Sequence, residues 1–212
     1  KRSGVTDVIS LSAVGSLKAE LPPGHFVVVD QFIDRSFARE KSFFGDGLVA
    51  HVSMAHPVCG RLGDHLADAA NAARIKVVRG GTYLVMEGPQ FSTKAESALY
   101  RSWGCDVIGM TNMPEAKLAR EAEMCYATVA MVTDYDCWHP DHDSVTVDLI
   151  IANLTQNAKT AQRAIAEAVG RLGKVRSCTC KDALATAIIT RPEHVPAETK
   201  RELLPIVGKY IQ

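Results

Sequence analysis

Short runs of β-branched and aromatic residues alternate along the chain with longer amphipathic stretches, and this alternation constrains the fold most. Several of the short runs are apolar on both faces, which is typical of strands that helices cover on both sides. The alternation therefore predicts an α/β fold. The predicted strands are Val5–Ala13, Phe26–Asp30, Tyr83–Glu87, Val107–Met110 and Tyr126–Thr133.

The amphipathic stretches predict helices between and after these strands. Thr93 and Glu96 have the spacing of a capping box, and Pro114 suits the first turn of a helix. We find no internal repeat, low-complexity segment or long linker, so the 212 residues indicate one domain over residues 1–212. The predicted helices are Arg61–Arg74, Thr93–Trp103, Pro114–Glu123, about Thr146 to Leu172, Lys181–Ile189 and Glu198–Tyr210.

The charge balance and the apolar runs limit the partners that we expect. Lys plus Arg equals Asp plus Glu at 24 each, so no global field favours nucleic acid or an anionic membrane. No segment offers about 18 uninterrupted apolar residues, so we predict no membrane span. Asp7 interrupts the apolar run near the N-terminus, which suits a strand better than a signal peptide. We expect a soluble, cytoplasmic protein with no nucleic-acid or membrane partner.

The six cysteines are too sparse for a disulfide scaffold in a chain of this length. Cys178 and Cys180 form the only close pair, and no second pair stands at the spacing of a zinc site. The spacing therefore favours unpaired thiols and predicts no metal site. A structural or redox-active disulfide is the alternative.

Small, polar and aromatic residues follow four of the predicted strands. They occupy residues 12–16 (SAVGS), 87–92 (EGPQFS), 109–112 (GMTN) and 133–136 (TDYD). Ligand sites of open α/β sheets gather at the carboxyl ends of strands, and small residues let a ligand approach the backbone. The four strand ends together predict a pocket.

Two aspartates, Asp134 and Asp136, end the apolar run of the last strand. If the strand geometry continues, both side chains point to the same face. Converging carboxylates repel each other and resist the loss of water, so a solvated surface turn is the simpler interpretation. The three other polar strand ends favour a functional pair in the pocket.

At these strand ends the sequence resembles the 5'-methylthioadenosine phosphorylases of the trimeric purine nucleoside phosphorylase superfamily. The resemblance implies a single domain with a mixed, largely parallel central sheet flanked by helices. It also implies phosphorolysis of 5'-methylthioadenosine to adenine and 5-methylthioribose 1-phosphate, in methionine and purine salvage. Inorganic phosphate is then a co-substrate, no cofactor is needed, and the assembly is a homotrimer or a multiple of three. The matching segments are AVGSL (13–17), PPGHFVVVDQFIDR (22–35), EGPQFST (87–93), AESALYRSWGCDVIGMTNMPEAKLARE (95–121) and CYATVAMVTDYDCW (125–138).

The resemblance assigns the base and ribose contacts. Asp134 meets the purine N6, and Asp136 meets N7 and is the candidate general acid. Phe91 stacks on the base, Ser92 supplies a hydroxyl, and Met110 contacts the ribose hydroxyls. An Asp carboxylate accepts from a 6-amino group but repels a 6-oxo group, so Asp134 favours adenine.

The resemblance also assigns the phosphate and the 5' group. Ser12, Ala13 and Thr111 match part of the phosphate site, and Val14 and Gly15 lie beside the substrate. The 5' pocket has an apolar wall that suits a thioether better than a hydroxyl, and a histidine from a neighbouring subunit. The wall residues are Val147, Ile150 and Ile151, and the histidine is His51.

The chain departs from the family pattern at its start. Members begin roughly 80 residues earlier, with a Gly-rich phosphate loop and an Arg-His pair that grips phosphate. Lys1 and Arg2 precede the first strand and do not replace that pair. We expect a fragment of a longer protein rather than a shortened relative, because a sheet without its first strands exposes an apolar edge. The alternative functions are a phosphorylase of broader or 6-oxopurine specificity and a non-catalytic nucleoside-binding fragment.

Two further segments suggest other chemistry. The Cys178 to Cys180 region resembles a Cys-x-Cys segment of heat-adapted members, in which disulfides occur and the positions of Cys59 and Cys125 can also pair. A ring closed between Cys178 and Cys180 is strained and easily reduced. The segment HPDHD (139–143) lacks a further ligand for a metal and predicts a solvated loop over the active site.

Overall fold

The computed structural model describes residues 1–140, 147–173 and 175–211. Within these ranges, seven strands and five helices form, with short 3-10 turns at Asp136–Trp138, Thr179–Asp182 and Pro192–His194. The strands are β1 (Asp7–Ser16), β2 (Phe26–Val28), β3 (Gln31–Arg35), β4 (Val77–Arg79), β5 (Thr82–Met86), β6 (Val107–Gly109) and β7 (Cys125–Asp134). The helices are α1 (Gly60–Ala72), α2 (Lys94–Ser102), α3 (Glu115–Glu121), α4 (Val147–Arg171) and α5 (Ala197–Val207).

The strands form one sheet in the order β3-β5-β6-β1-β7-β2-β4. The pairs β3/β5, β5/β6, β1/β7 and β2/β4 are parallel. The pairs β1/β6 and β2/β7 are antiparallel. The predicted α/β fold with a mixed, largely parallel sheet is confirmed.

Strand β7, in the interior of the sheet, contributes to the core on both faces, because all ten of its residues are buried. Alternate side chains enter different apolar clusters, as the two-residue period of a strand requires. Val129 and Met131 pack in the cluster that contains residues of α1 and α4. Ala130 and Val132 pack in the cluster that contains residues of α3. Helices therefore cover both faces, which explains why the run has no polar side.

The sequence pattern located five of the strands within a few residues and missed β3 and β4. These two strands lie at the opposite edges of the sheet. β3 has the sequence QFIDR, and β4 contributes only three residues, two of them exposed. Edge strands carry polar and charged residues, so the apolar signal that marks a central strand is weak there.

The predicted helices correspond to α1 to α5, with one exception. The capping box of α2 forms, since Thr93 Oγ1 accepts from the Glu96 N–H and Glu96 Oε2 accepts from the Thr93 N–H. The long helix predicted from about Thr146 is α4, although Thr146, Asp141 and His142 lie outside the described residues. Across the described ranges, no helix is both long and apolar enough to cross a membrane.

The helix predicted at Lys181–Ile189 is wrong, because only the 3-10 turn at Thr179–Asp182 forms in this segment. The Leu184 N–H donates to Glu123 Oε1 at 3.1 Å. The Ile189 N–H donates to the Val49 carbonyl at 2.9 Å. Backbone donors that are used in this way are not available for the bonds of an α-helix.

Candidate active site

A cavity of about 170 Å³ lies where β1, β6 and β7 end, beside the segment that follows β5. β6 is short, and its pairing with the last residues of β1 is antiparallel. The four strand ends meet because the last residues of β1 pair with β6. This pairing is antiparallel, so the four strands do not all run in the same direction. The cavity is lined by Ala13, Val14, Gly15, Met86, Phe91, Ser92, Ile108, Gly109, Met110, Thr111, Thr133, Asp134, Asp136 and Ile150.

Most of the residues predicted to form the site lie together in this cavity. One of the others, Ser12, is buried directly behind the lining and bonds to Thr111. The predicted residues that line the cavity are Ala13, Val14, Gly15, Phe91, Ser92, Met110, Thr111, Asp134, Asp136 and Ile150.

Three predicted residues of the 5' pocket do not line the cavity within this chain. Val147 and Ile151 lie in the first turns of α4 and are 62% and 54% exposed. His51 is exposed and lines a separate depression beside Lys41 and Glu121. Within one chain, the predicted apolar wall is therefore represented in the cavity by Ile150 alone.

The acidic pair reaches the cavity through a turn and not through a continued strand. β7 ends at Asp134, and Asp136 begins a 3-10 turn with a left-handed φ of 52°. Non-glycine residues rarely adopt this conformation, which often marks a functional position. The expected alternation along the strand is thus wrong, but the expected convergence of the two carboxyl groups is correct.

Both oxygens of Asp134 are held within the chain. Oδ1 accepts from the Asp136 N–H at 2.8 Å, and Oδ2 accepts from the Thr133 hydroxyl at 2.7 Å. Burial raises the pKa of Asp134, and these two hydrogen bonds offset part of the rise. The carboxyl group is therefore fixed in orientation and retains lone pairs that can accept from a ligand.

Asp136 has an oxygen that is not used within the chain. Its Oδ2 is buried and has no hydrogen-bond partner among the described residues. Burial raises the pKa of Asp136, and the charge of Asp134 raises it further, while Ser97 and the Cys137 N–H offset part of the rise. A carboxyl group with a raised pKa and a free oxygen can hold a proton and donate it to a ligand.

Gly15 makes room for the acidic pair. It pairs with Asp134 across a register shift that separates Val14 from Gly15. A Cβ at position 15 would lie 2.9 Å from Asp134 Oδ1 and 3.4 Å from Asp136 Cβ. A larger residue would therefore displace the carboxyl group that the cavity presents.

Three hydroxyl groups lie together beside the cavity, and of these three residues Thr111 is the one that lines it. Ser12 Oγ is 2.6 Å from Thr111 Oγ1 and 3.0 Å from the Tyr83 hydroxyl, and Tyr83 is 3.3 Å from Thr111. Burial raises the pKa of Tyr83, so its hydroxyl stays protonated and can donate. A Cβ at Gly109 would lie 2.0 Å from the Tyr83 oxygen, so this glycine admits the ring. The cluster can donate hydrogen bonds to an anion.

Sequence reasoning missed several residues of the site. Tyr83, Met86, Ile108 and Thr133 lie in predicted strands, where an apolar or β-branched residue indicates core packing. The available signal was a tyrosine in an otherwise aliphatic strand, since a buried phenol needs a hydrogen-bond partner.

Two asparagines of α4 position the helix on the end of β7. The Asn153 side chain donates to the Thr133 carbonyl at 2.6 Å, and the Asn157 side chain donates to the Val132 carbonyl at 2.9 Å. The Val132 carbonyl also accepts from the Gly24 N–H, so these bonds fasten α4 to the end of β7, where Ile150 lines the cavity. The spacing of two asparagines one helical turn apart was visible in the sequence.

Comparison with known proteins defines the class. Residues 1–170 match the family model described as the phosphorylase superfamily. The chain is 60% identical over 210 residues to S-methyl-5'-thioadenosine phosphorylase of Koribacter versatilis, covering 99% of this chain and 72% of the relative. It is 59% identical over 215 residues to the enzyme of that name from Cereibacter sphaeroides, covering 100% of this chain and 74% of the relative.

Solved structures agree with these relatives. A methylthioadenosine phosphorylase sourced from an antarctic soil metagenomic library has a TM-score of 0.91 and 48% identity, covering 96% of this chain and 72% of that chain. Methylthioadenosine phosphorylase from Schistosoma mansoni in complex with adenine has a TM-score of 0.81 and 33% identity, covering 87% of this chain and 72% of that chain. The chain belongs to the phosphorylase superfamily and, within it, to the S-methyl-5'-thioadenosine phosphorylases.

Proposed function

We propose that this chain catalyses the phosphorolysis of 5'-methylthioadenosine, which yields adenine and 5-methylthioribose 1-phosphate. The observation that carries the proposal is the pair of buried carboxyl groups, Asp134 and Asp136, that face one cavity at the end of β7. The names of the relatives described above support the same substrate.

Asp134 is proposed to select the base. Its carboxyl group is held by two hydrogen bonds from the chain, and it can accept a further bond from the exocyclic 6-amino group of adenine. A 6-oxo purine would instead place a carbonyl oxygen against this acceptor. Phe91 lines the cavity and is 51% exposed, so its ring is open to stacking on the base. Ser92, also on the lining, adds a hydroxyl that can bond to the base.

Asp136 is proposed as the general acid. Breaking the C1'–N9 bond leaves negative charge on the purine, and protonation at N7 makes the purine a better leaving group. The unpartnered Oδ2 of Asp136 and its raised pKa suit this proton donation. General acid catalysis typically contributes about 10²–10⁴-fold.

The hydroxyl cluster is proposed to hold inorganic phosphate. Thr111 lies on the cavity surface and can donate to phosphate oxygens, together with the backbone near Ala13, while Ser12, buried behind Thr111, bonds to the Thr111 hydroxyl and would orient it. Phosphate then attacks C1' on the face opposite the base while positive charge develops on the ribosyl ring. Met110 also lies on the lining and can contact the ribose hydroxyls. The proposed chemistry uses side chains and phosphate and requires no cofactor.

The 5' pocket is proposed to be completed by a neighbouring subunit. Val147 and Ile151 are more than half exposed beside Ile150, which lines the cavity. Exposed apolar side chains next to a binding site indicate a surface that a partner covers. A closed ring of three head-to-tail subunits would cover them and bring His51 to the next site. The resulting apolar pocket suits a thioether and should disfavour the hydroxyl of adenosine by about 10–200-fold.

A direct assay tests the proposal. The protein is incubated with 5'-methylthioadenosine and phosphate, and adenine and the sugar phosphate are separated by chromatography and identified by mass. We expect phosphate-dependent release of adenine, and slower turnover of adenosine and methylthioinosine. Faster turnover of inosine or guanosine would favour a 6-oxopurine phosphorylase. Binding of methylthioadenosine without phosphate-dependent turnover would favour a non-catalytic nucleoside-binding protein.

A further inference from the structure

Four of the six cysteines form a cluster at the end of β7 that is remote from the cavity. The Sγ atoms of Cys59, Cys125, Cys178 and Cys180 all lie within 4.8 Å of one another. Those of Cys125 and Cys178 are 3.3 Å apart. All six cysteines are free thiols. The cluster joins three parts of the chain: the N-cap of α1, the first residue of β7 and the segment before α5.

The spacing of the four sulfur atoms matches a known coordination geometry. Zinc binds thiolates at about 2.3 Å, and a tetrahedron with such bonds has edges of about 3.8 Å. The Sγ atoms of Cys125 and Cys178 are 3.3 Å apart, and no two of the four Sγ atoms are more than 4.8 Å apart. These separations lie on either side of the tetrahedral edge length. Small side-chain rotations would bring all four to a common centre.

The charges around the cluster favour anionic sulfur. Arg120 Nη1 lies 4.0 Å from Cys180 Sγ, and Arg61 Nη2 lies 3.5 Å from Cys125 Sγ while also pairing with Asp7. Within the described part of the chain, Arg120 forms no ion pair with a carboxylate and otherwise donates to the His56 carbonyl. Neutral thiols or disulfides would leave Arg120 without an anionic partner.

Zinc with four thiolates carries a net charge of −2, which Arg120 offsets in part and Arg61, shared with Asp7, offsets further. Cys59 is also the N-cap of α1, and the positive end of a helix dipole stabilises a thiolate there. Three of the four cysteines are buried and the fourth is partly buried, so the site is largely shielded from water.

We propose that Cys59, Cys125, Cys178 and Cys180 bind one zinc ion in a tetrahedral tetrathiolate site. Binding forms four zinc–sulfur bonds and releases the thiol protons, and no electron is transferred. Four protein ligands leave no open position, which is the mark of a structural site. Cys125 and Asp134 stand at opposite ends of the ten-residue β7, about 30 Å apart at 3.3 Å per residue. The ion would therefore tie the segment before α5 to the sheet and take no part in the reaction.

This proposal departs from the prediction made from spacing. Only Cys178 and Cys180 are close in sequence, and Cys59 and Cys125 each stand alone. The fold brings them together, because Cys59 packs beside the start of β7, where its N–H donates to the Tyr126 carbonyl.

Metal content measured on protein prepared with reductant and zinc throughout tests the site. After gel filtration against a weak chelator, we expect one zinc per chain. Cobalt in place of zinc should give the strong visible absorption of a tetrahedral thiolate site. Cys178→Ser should lose both signals, whereas Cys105→Ser, a buried cysteine outside the cluster, should keep them. Removing zinc from the wild type with a strong chelator should lower Tm by about 5–10 °C. This measurement uses the wild type, so it tests the zinc site even if a variant fails to fold.

Two results would overturn the zinc site. One is a reduced wild-type protein that retains no zinc and shows no response of Tm to the chelator. The other is a protein without metal whose intact mass stays lower by two hydrogens for each disulfide even in reductant, which would assign the cluster to disulfide bonds. Retention of zinc by Cys178→Ser at the wild-type level would also contradict the proposed ligand set.

Discussion

The backbone N–H of Asp136 donates to Asp134 Oδ1 at 2.8 Å, so the two acids of the cavity are joined through the main chain. The bond stabilises the left-handed turn at Asp136, and Asp136 Oδ2 has no partner among the described residues. The two carboxyl groups therefore have different environments in one cavity. Different environments allow one group to accept from a ligand while the other donates a proton.

The first prediction concerns proton donation by Asp136. Asp136→Asn keeps the shape of the side chain but has no carboxyl proton, so kcat should fall by about 10²–10⁴-fold. Burial raises the pKa of Asp136, and the protonated form is the active one. Wild-type kcat/KM should therefore decrease as the pH rises through this raised pKa, and the variant should lose that dependence. Asp64→Asn, at an exposed carboxyl on α1, is the matched control.

The pH profile decides between two roles for Asp136. A residue that only supports the turn would lower activity equally at every pH. The proposed role therefore fails if the variant retains the wild-type alkaline limb.

The second prediction concerns the choice of base by Asp134. Asp134→Asn retains an acceptor for the Asp136 N–H, so the turn should persist. A hydrogen bond to a charged group contributes about 1.5–3 kcal/mol, which corresponds to about a 10–150-fold loss of kcat/KM for methylthioadenosine. Methylthioinosine should lose much less, because the amide can donate to its 6-oxo group. Equal losses for the two nucleosides in steady-state assays would contradict this assignment.

The third prediction concerns the space at Gly15. In Gly15→Ala the added Cβ would lie 2.9 Å from Asp134 Oδ1, so the carboxyl group must move. Overpacking of this kind costs about 1–3 kcal/mol, and we expect a lower Tm and at least about a tenfold loss of kcat/KM. Gly60→Ala, at the start of α1 with no atom within 4 Å, should leave both unchanged. Wild-type activity in Gly15→Ala would show that the position of Asp134 is not critical.

The fourth prediction concerns phosphate. Thr111→Val removes a hydroxyl from the cluster with Ser12 and Tyr83 but keeps the branched shape. The KM for phosphate should rise by about tenfold or more, since a hydrogen bond to an anion is lost, while the affinity for the nucleoside should change little. Thr155→Val, at an exposed position on α4, is the control. An unchanged KM for phosphate would place the anion elsewhere.

The fifth prediction concerns sharing of the site between subunits. If His51 completes the neighbouring pocket, a His51→Ala subunit has an intact Asp136 and needs a neighbour with an intact histidine. Mixing His51→Ala with Asp136→Asn chains under conditions of subunit exchange should give more activity than the average of the two separate variants. Sedimentation should show a trimer or a multiple of three. A mixture with only the average activity, or a stable active monomer, would exclude the shared site.

The sequence determined the central strands, the capped helices and the residues that end the strands. These features are local, because burial on both faces favours apolar residues along most of β7 and a capping box needs only Thr93 and Glu96. The sequence pattern did not predict the edge strands β3 and β4 or the conformation of the segment Lys181–Ile189. Their backbone bonds go to partners distant in the chain, such as Glu123 for the Leu184 N–H.

The sequence also identified most of the residues that line the candidate site, whereas only the tertiary structure decided how they meet. The resemblance named Asp134 and Asp136, but the turn that joins them depends on an unusual φ that no residue pattern reveals. The cysteine cluster was hidden for a related reason: Cys59 and Cys180 are separated by most of the chain and meet only because of strand order and helix packing. Local sequence patterns indicate which face of a strand or helix is buried and where the element ends. Contacts between distant segments form only when the whole core is assembled.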